Sequence, residues 1–287
     1  PAANVAAAAE LKGVPTRVAF FGEALARDLA ADGHAADLII GNNVLAQVPD
    51  VNDFMAGIAR LLKPQGTVTL EFPHLERTVA GNQFDQIYHE HFSYFSLTAV
   101  EHLAARHGLT VSRVEELASH GGSLRVHLRH AGNAEVDPSV DLVRQREVAF
   151  GCTDPSKLAA FGERAAATKR ALLRFLIDAR ERGASVAGYG APGKGNTLLN
   201  YCGIRTDLVD YLVDRNPYKH GRYTPGTHIP IHPVEHIDRT RPDYLVILPW
   251  NLTREIMEQM RHVADWGCQF VVPIPELAVV PAAQLAA

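Results

Sequence analysis

The chain has 287 residues, 47% of them hydrophobic, and a formal net charge of −4. Its length suggests two domains and its apolar content is enough for two cores, while mild acidity without a Lys/Arg-rich block gives no reason to expect nucleic acid as a partner. No apolar run reaches the roughly 20 residues of a membrane span, and Cys152, Cys202 and Cys268 form neither a CxxC pair nor a disulfide framework, a pattern that favours a reducing cytoplasm.

The chain opens Pro1-Ala2-Ala3-Asn4 without Met, and its first periodic segment starts in mid-element, so it reads as part of a longer protein. Residues 4–12 are expected as a helix closed by Gly13, 17–21 as a short strand, and 24–31 as a helix stopped by Gly33. Residues 36–41 have the Leu/Ile run of a strand buried on both faces. Residues 51–62 repeat apolar side chains at helical spacing until Lys63-Pro64-Gln65-Gly66 breaks them, and 68–72 form the next strand. Ser96 is the expected N-cap of a helix over 97–107, followed by strands at 110–117 and 123–129. Such alternation predicts a largely parallel sheet covered by helices. After a polar break at 132–138, residues 155–183 read as helix. A second α/β unit then has strands at 184–189, 208–214, 244–248 and 269–274.

Residues 88–95 (YHEHFSYF) place two histidines, a carboxylate and two tyrosines directly downstream of the strand and Pro exit at 68–73. Histidine titrates near neutrality and takes a proton when a neighbour sets its tautomer. General acid/base chemistry, a His-Glu-His metal site and a solvated loop all remain open here. His89 and His91 are two apart, and no cysteine or third histidine stands nearby to complete a metal set.

Residues 188–197 (GYGAPGKGNT) lie between a strand and a helix start, where an α/β sheet offers amides to phosphate. Gly188, Gly190 and Gly193 match GxGxxG, with Asp214 ending the next strand, as in a dinucleotide site. The same residues nearly match a P-loop, except that Gly195 replaces the Mg²⁺-binding Ser/Thr. The readings are phosphate or diphosphate binding assisted by Lys194, an NAD site, or a structural tight turn. Asp214, Arg215, Asn216 and Lys219 cluster after the second strand of this unit, either to hold a nucleotide or to line a polar surface. Asn42 and Asn43 follow the strand at 36–41, at the carboxyl edge where open α/β sheets bind ligands.

Residues 37–47 (DLIIGNNVLAQ), 61–66 (LLKPQG) and the strand VTLEF resemble the second half of a class I S-adenosylmethionine methyltransferase. With YHEHFSYFS (88–96), HGGSLR (120–125), GYGAPGKGNTLLNYCGI (188–204) and DRNPYKHGRYTPGTHIPI (214–231), nearly the whole chain resembles the nucleotide-sugar C-methyltransferases, which make branched deoxysugars.

That resemblance implies an α/β fold: the C-terminal part of a Rossmann-like methyltransferase domain over 1–130, a helical connector over 131–182 and a second Rossmann-like domain over 183–287. It also implies that a small zinc domain, the first strand and glycine loop of the methyltransferase and the acidic residue that would hold the cofactor ribose are absent from this chain, and most of the cofactor site with them; zinc belongs to that absent part, and no metal site is expected here. The cofactor is expected to be S-adenosylmethionine, with Phe21 packing on its adenine and Asn42 meeting its amino-acid end. The substrate is expected to be a keto-deoxysugar nucleotide. His91 is the expected base that forms an enolate, with Tyr88 and Glu90 beside it. Asn43, Gln47, His120, Lys194 and Asn196 are the expected substrate contacts. Gln47 stands where the family usually has His, and Gly193 where it usually has Ala. The competing functions are an NAD-linked oxidoreductase built on the Gly188 loop and a non-catalytic sugar-nucleotide-binding module.

Overall fold

A computed structural model describes residues 2–283. In chain order the first elements are α1 (Ala3–Glu10), α2 (Glu23–Ala31), β1 (Ala36–Asn42), α3 (Val51–Leu61), β2 (Leu62–Pro73) and α4 (Leu75–Ala80). Then come α5 (Leu97–Arg106), β3 (Leu109–Leu117), β4 (Ser123–His130), α6 (Pro138–Phe150) and α7 (Pro155–Glu181). The last third holds β5 (Val186–Tyr189), α8 (Gly193–Cys202), β6 (Tyr211–Val213), β7 (Ile231–His232) and α9 (His236–Thr240), followed by β8 (Tyr244–Ile247), α10 (Thr253–Gln259), β9 (Gln269–Val272) and β10 (Ala278–Pro281). The chain forms two compact units. The first comprises the chain up to Leu75 with Phe92–Ala118 and Gly122–Cys152; the second comprises Glu76–His91, Ser119–Gly121 and the chain from Thr153 onward. The segment 131–182 thus contributes α6 to the first unit and α7 to the second.

In the first unit the strand order is β1-β2-β4-β3. Only β1 and β2 are parallel; β2–β4 and β4–β3 are antiparallel, so the expectation of a largely parallel sheet does not hold here. The cause is connection length. α3 returns β1 to β2, but only residues 118–122 join β3 to β4, and a parallel pair needs a crossover of about a dozen residues. Residues 17–21 are not a strand either. Their backbone makes a local bond, Ala19 N–H to Arg17 O at 3.1 Å, and Phe21 turns edge-on to Phe54 with ring centroids 5.6 Å apart. Nor is β1 buried on both faces: it is an edge strand, and Leu38 and Ile40 are exposed while Ile39 packs on the core.

Helix starts follow local chemistry. The Asp50 carboxylate accepts from Asn52 and Asp53 amides at 3.0 Å each, a cap worth about 1 kcal/mol. α3 then buries Phe54, Met55 and Ile58. Leu62 already belongs to β2, because Pro64 disfavours helical backbone at Lys63. Ser96 caps α5 as expected, through Ala99 N–H at 3.1 Å. The core gathers Leu45, Met55, Val68, Phe72, Leu97, Val126 and Leu128.

The second unit has strand order β10-β9-β8-β5-β6-β7, parallel except for β10 against β9. Counted from β5, this is the 3-2-1-4-5-6 order of a doubly wound fold, with its switch point between β5 and β8. Among the described residues, no helix is long and apolar enough to cross a membrane.

Candidate active site

In the first unit, Asn42 ends β1 opposite Glu71 and is exposed. Asn43 adopts φ +54, a left-handed conformation that Asn tolerates, and its N–H reaches Glu71 O at 2.8 Å. Gln47 is exposed at the end of the 3-10 turn Leu45–Gln47, with its N–H on Val44 O at 2.9 Å. Phe21 is half-buried against the core.

The stretch carrying the histidine motif leaves the first unit after Leu75 and returns at Phe92. One buried carboxylate holds both ends. Glu147 Oε1 lies 2.7 Å from His74 Nε2 and accepts Leu97 N–H at 2.5 Å; Oε2 accepts the Thr98 amide at 3.0 Å and its hydroxyl at 2.8 Å. Burial alone pushes the Glu147 carboxyl up, but the bonds from His74, Thr98 and Leu97 outweigh it and hold it below the ordinary range. A second tie, Leu75 N–H to Phe95 O at 2.9 Å, closes the same neck.

Within the second unit, the residues between those ends form α4, a 3-10 turn at Phe84–Gln86 and a turn closed by His91 N–H to Tyr88 O at 3.0 Å. That turn brings His91 Nδ1 to 3.0 Å from the Gln86 carbonyl. A carbonyl only accepts, so Nδ1 carries the proton and the neutral ring has its lone pair on Nε2. The turn folds the imidazole back onto the residue five positions earlier, and Glu90 is exposed. Tyr88 lies beside His91, ring centroids 4.5 Å apart. His89 is exposed, and among the described residues no group of three His, Cys, Asp or Glu is placed to hold a metal ion. Gln86 is itself tied down, its Nε2 donating to His120 O at 3.0 Å and Gln83 Oε1 at 2.6 Å. His120 is exposed at φ +55, in the 3-10 turn Ser119–Gly121.

The Gly188 loop faces the same segment. Tyr88 ring atoms would lie 3.8 Å from a Cβ built at Gly193. Lys194 Nζ sits 4.5 Å above the Trp250 ring and bonds Asn251 Oδ1. Trp250 Nε1 in turn donates to Asp85 Oδ2 at 2.7 Å. Asp85 has no exposed surface, and burial pushes its carboxyl up to about 7 against the Trp250 bond and the Lys194 charge. Burial likewise pulls the Lys194 ammonium below its usual range, opposed by Asp85. Asn196, one turn into the loop's helix, carries a buried side-chain oxygen with no hydrogen-bond partner among the described residues.

The dinucleotide pattern dissolves in this geometry. A Cβ at Gly188 would meet Leu212 at 2.4 Å, and one at Gly190, where φ is +84, would meet Pro249 at 2.7 Å; both glycines serve packing. Asp214, in the position that would read a ribose, accepts Ala191 N–H and Asn216 N–H at 2.8 Å and Lys219 Nζ at 2.9 Å. Those bonds overcome burial and hold its carboxyl low. Lys219 also donates to Ala191 O at 2.9 Å, so the cluster at 214–219 locks the loop. The cleft at the carboxyl ends of β5 and β8, lined by Tyr189, Gly190, Asp214 and Pro249, measures about 210 Å³. Ligand pockets are commonly about 300–1,000 Å³.

Asp85, Gln86, Glu147 and Trp250 were not among the residues expected from sequence. Trp250 alone had a usable signal, its place just past the strand at 244–248, on the ligand-binding edge of an α/β sheet.

Two family models match the chain, a methyltransferase domain over residues 4–114 and a C-methyltransferase C-terminal domain over residues 118–275. C-methyltransferase NovU of Streptomyces niveus is 36% identical over 286 residues, covering 98% of this chain and 67% of that protein. Among solved structures, 1,6-didemethyltoxoflavin-N1-methyltransferase of Burkholderia thailandensis, solved with S-adenosylhomocysteine, aligns over 46% of this chain and 58% of its own at 15% identity and a TM-score of 0.32. An O-methyltransferase family protein from the same organism aligns over 45% of this chain and 40% of its own at 19% identity and a TM-score of 0.33. With matched family models running through both halves and a relative aligned to nearly the whole of this chain, the chain belongs to the C-methyltransferase family.

Proposed function

We propose that this chain methylates a carbon beside the ketone of a keto-deoxysugar nucleotide, with His91 as the base. The observation that carries the reading is the bond from His91 Nδ1–H to the Gln86 carbonyl, which commits Nε2 to accepting a proton. His91 Nε2 takes the acidic proton from the carbon next to the ketone. The C–H electron pair becomes the C=C bond of an enolate, and the ketone oxygen gains the charge. Tyr88, packed beside the imidazole, stabilises that oxygen by donating from its phenol. Glu90, on the exposed side of the turn, adds negative charge that favours the imidazolium formed.

The diphosphate is held by Lys194 and the first-turn amides of α8, with His120 and Asn196 as sugar contacts. In the first unit, Asn43 and Gln47 contribute sugar contacts. S-adenosylmethionine, when bound, supplies an electrophilic methyl group. The exposed Asn42 carboxamide at the carboxyl end of a parallel strand fits its amino-acid end, and Phe21 is the residue for its adenine.

The test isolates the proton step. A 4-keto-6-deoxy nucleotide sugar is incubated with protein in D₂O, and exchange of the hydrogens beside the ketone is followed by NMR. Wild-type protein is expected to catalyse exchange, and His91→Asn to slow it by about 10²–10⁴-fold, the usual worth of a positioned base. Exchange at the wild-type rate in His91→Asn removes His91 from this role.

A further inference from the structure

Asp85 is a carboxylic acid in a place where such groups are costly. It is fully buried, and taking a charged carboxylate out of water costs several kcal/mol unless partners compensate. Yet only one of its oxygens is bonded: Oδ2 takes the Trp250 indole N–H, while Oδ1 has no hydrogen-bond partner among the described residues. An acid retained on those terms is explained by what it holds.

The Trp250 indole is fixed at three places. Its nitrogen is on Asp85. Its far edge rests where Gly121 has no side chain, since a Cβ there would come within 2.5 Å of Cη2. Its face carries Lys194 Nζ at 4.5 Å. A lysine ammonium on a four-carbon stem is normally a mobile charge. Here the ring beneath it and Asn251 beside it set its position. Lys194 follows Gly193, whose Cα faces the Tyr88 ring, and Asp85 precedes Gln86, which orients His91. The same short turn at Phe84–Gln86 therefore holds the imidazole by its backbone and the ammonium through an indole.

We propose that Asp85 is a positioning residue that acts through Trp250: by accepting the indole N–H it fixes the ring on which Lys194 rests, and so sets where the diphosphate of the substrate is gripped relative to His91. The diphosphate part rests on the function proposed above. The role differs from a structural one in being transmitted by a single hydrogen bond, so a side chain that still accepts that bond restores it.

Uridine diphosphate is the probe, its affinity measured by calorimetry on the full chain. Asp85→Leu and Trp250→Phe are each expected to weaken binding by about tenfold, the loss of one well-placed contact, with the double variant no weaker than either single. Asp85→Asn, whose carbonyl still accepts from the indole, is expected to stay within about threefold of wild type. Additive losses in the double variant, or full affinity in Asp85→Leu, overturn the proposal.

A second measurement needs no ligand. The chain has two tryptophans; in a Trp266→Phe background only Trp250 emits. Asp85→Leu is expected to loosen that residue, seen as lower fluorescence anisotropy and stronger iodide quenching, and Asp85→Asn to leave both unchanged. Identical emission in wild type and Asp85→Leu overturns the inference even if that variant still binds. Wild-type protein that binds no uridine diphosphate removes the sugar-nucleotide reading instead, and the fluorescence comparison still decides whether Asp85 holds Trp250.

Discussion

Replacing Glu147 by Ala should unfasten the neck through which the histidine motif leaves and re-enters the first unit. Glu147 is 1% exposed and takes hydrogen bonds from His74, Leu97 N–H, Thr98 N–H and the Thr98 hydroxyl. Two of these donors are first-turn amides of α5, which have no partner inside the helix. Hydrogen bonds to a charged group contribute about 1.5–3 kcal/mol each, and removing one partner of a buried pair costs about 3–5 kcal/mol because the other group is left uncompensated. The four bonds share one carboxylate and are not additive, so the expected loss for Glu147→Ala is about 4 kcal/mol. At about 2–4 °C per kcal/mol for a unit of this size, the melting transition of the first unit drops by roughly 8–16 °C. The pH dependence has a fixed sign. The folded carboxyl is held low, so its contribution is present above the unfolded value and is lost as pH falls through the folded one. Glu147→Gln should therefore lose part of the stability and flatten the acid limb of the stability–pH curve. Scanning calorimetry at several pH values reads both. A transition moved by less than about 2 °C in Glu147→Ala, below the shift from one kcal/mol, refutes the clamp.

Two further expectations concern the second unit. Gly193→Ala should be neutral or raise the melting temperature slightly, because the added methyl meets only Tyr88 at ordinary contact distance and Ala favours helix over Gly by up to about 1 kcal/mol, whereas Gly190→Ala should destabilise through its positive φ and the contact with Pro249; thermal shift assays on both separate a packing glycine from a ligand-facing one, and equal tolerance refutes the distinction. Asp214→Ala strips three donors of their acceptor and should cost the second unit about 2–4 kcal/mol in urea unfolding, while an unchanged midpoint would mean the loop is held without it.

Much of the fold was legible because apolar runs and capping residues are local signals. Ser96 and Gly33 mark true helix ends, whereas Gly13 falls three positions past the end of α1 and Lys63–Gly66, expected as a break, lies inside β2; all four strands expected in the second unit contain observed ones. What escaped was pairing. Residues 17–21 have strand-like composition but no partner strand among the described residues, and the antiparallel return of β4 depends on the length of a connection rather than on any residue type. β7 spans two residues and β10 has exposed side chains and ends in Pro, so neither leaves a periodic trace. The site divides the same way. His91, Tyr88 and Lys194 stand out as chemistry-bearing side chains in dense motifs. The partner that sets the His91 tautomer is a backbone carbonyl, which has no signature in sequence. Asp85 looks like any loop aspartate until its burial is known, and Glu147 like any exposed helix residue.

The second unit also shows why a glycine pattern misleads. Its strand order is that of a dinucleotide fold, and its loop fits GxGxxG, yet the first two glycines and the acidic residue of the pattern are engaged within the protein. Gly188 and Gly190 make room for Leu212 and Pro249, and Asp214 ties Ala191, Asn216 and Lys219 together. These contacts hold the loop in place and make it a rigid platform. Gly193 and Lys194 then stand at the start of α8, away from those locks, against Tyr88 and Trp250. The rigidity of the loop and the mobility normally expected of a lysine are in tension, and the indole under the ammonium resolves it. In the function proposed above, the topology that elsewhere grips a pyrophosphate by backbone amides adds to them one side chain, Lys194, which rests on an indole bonded to Asp85 in the histidine segment.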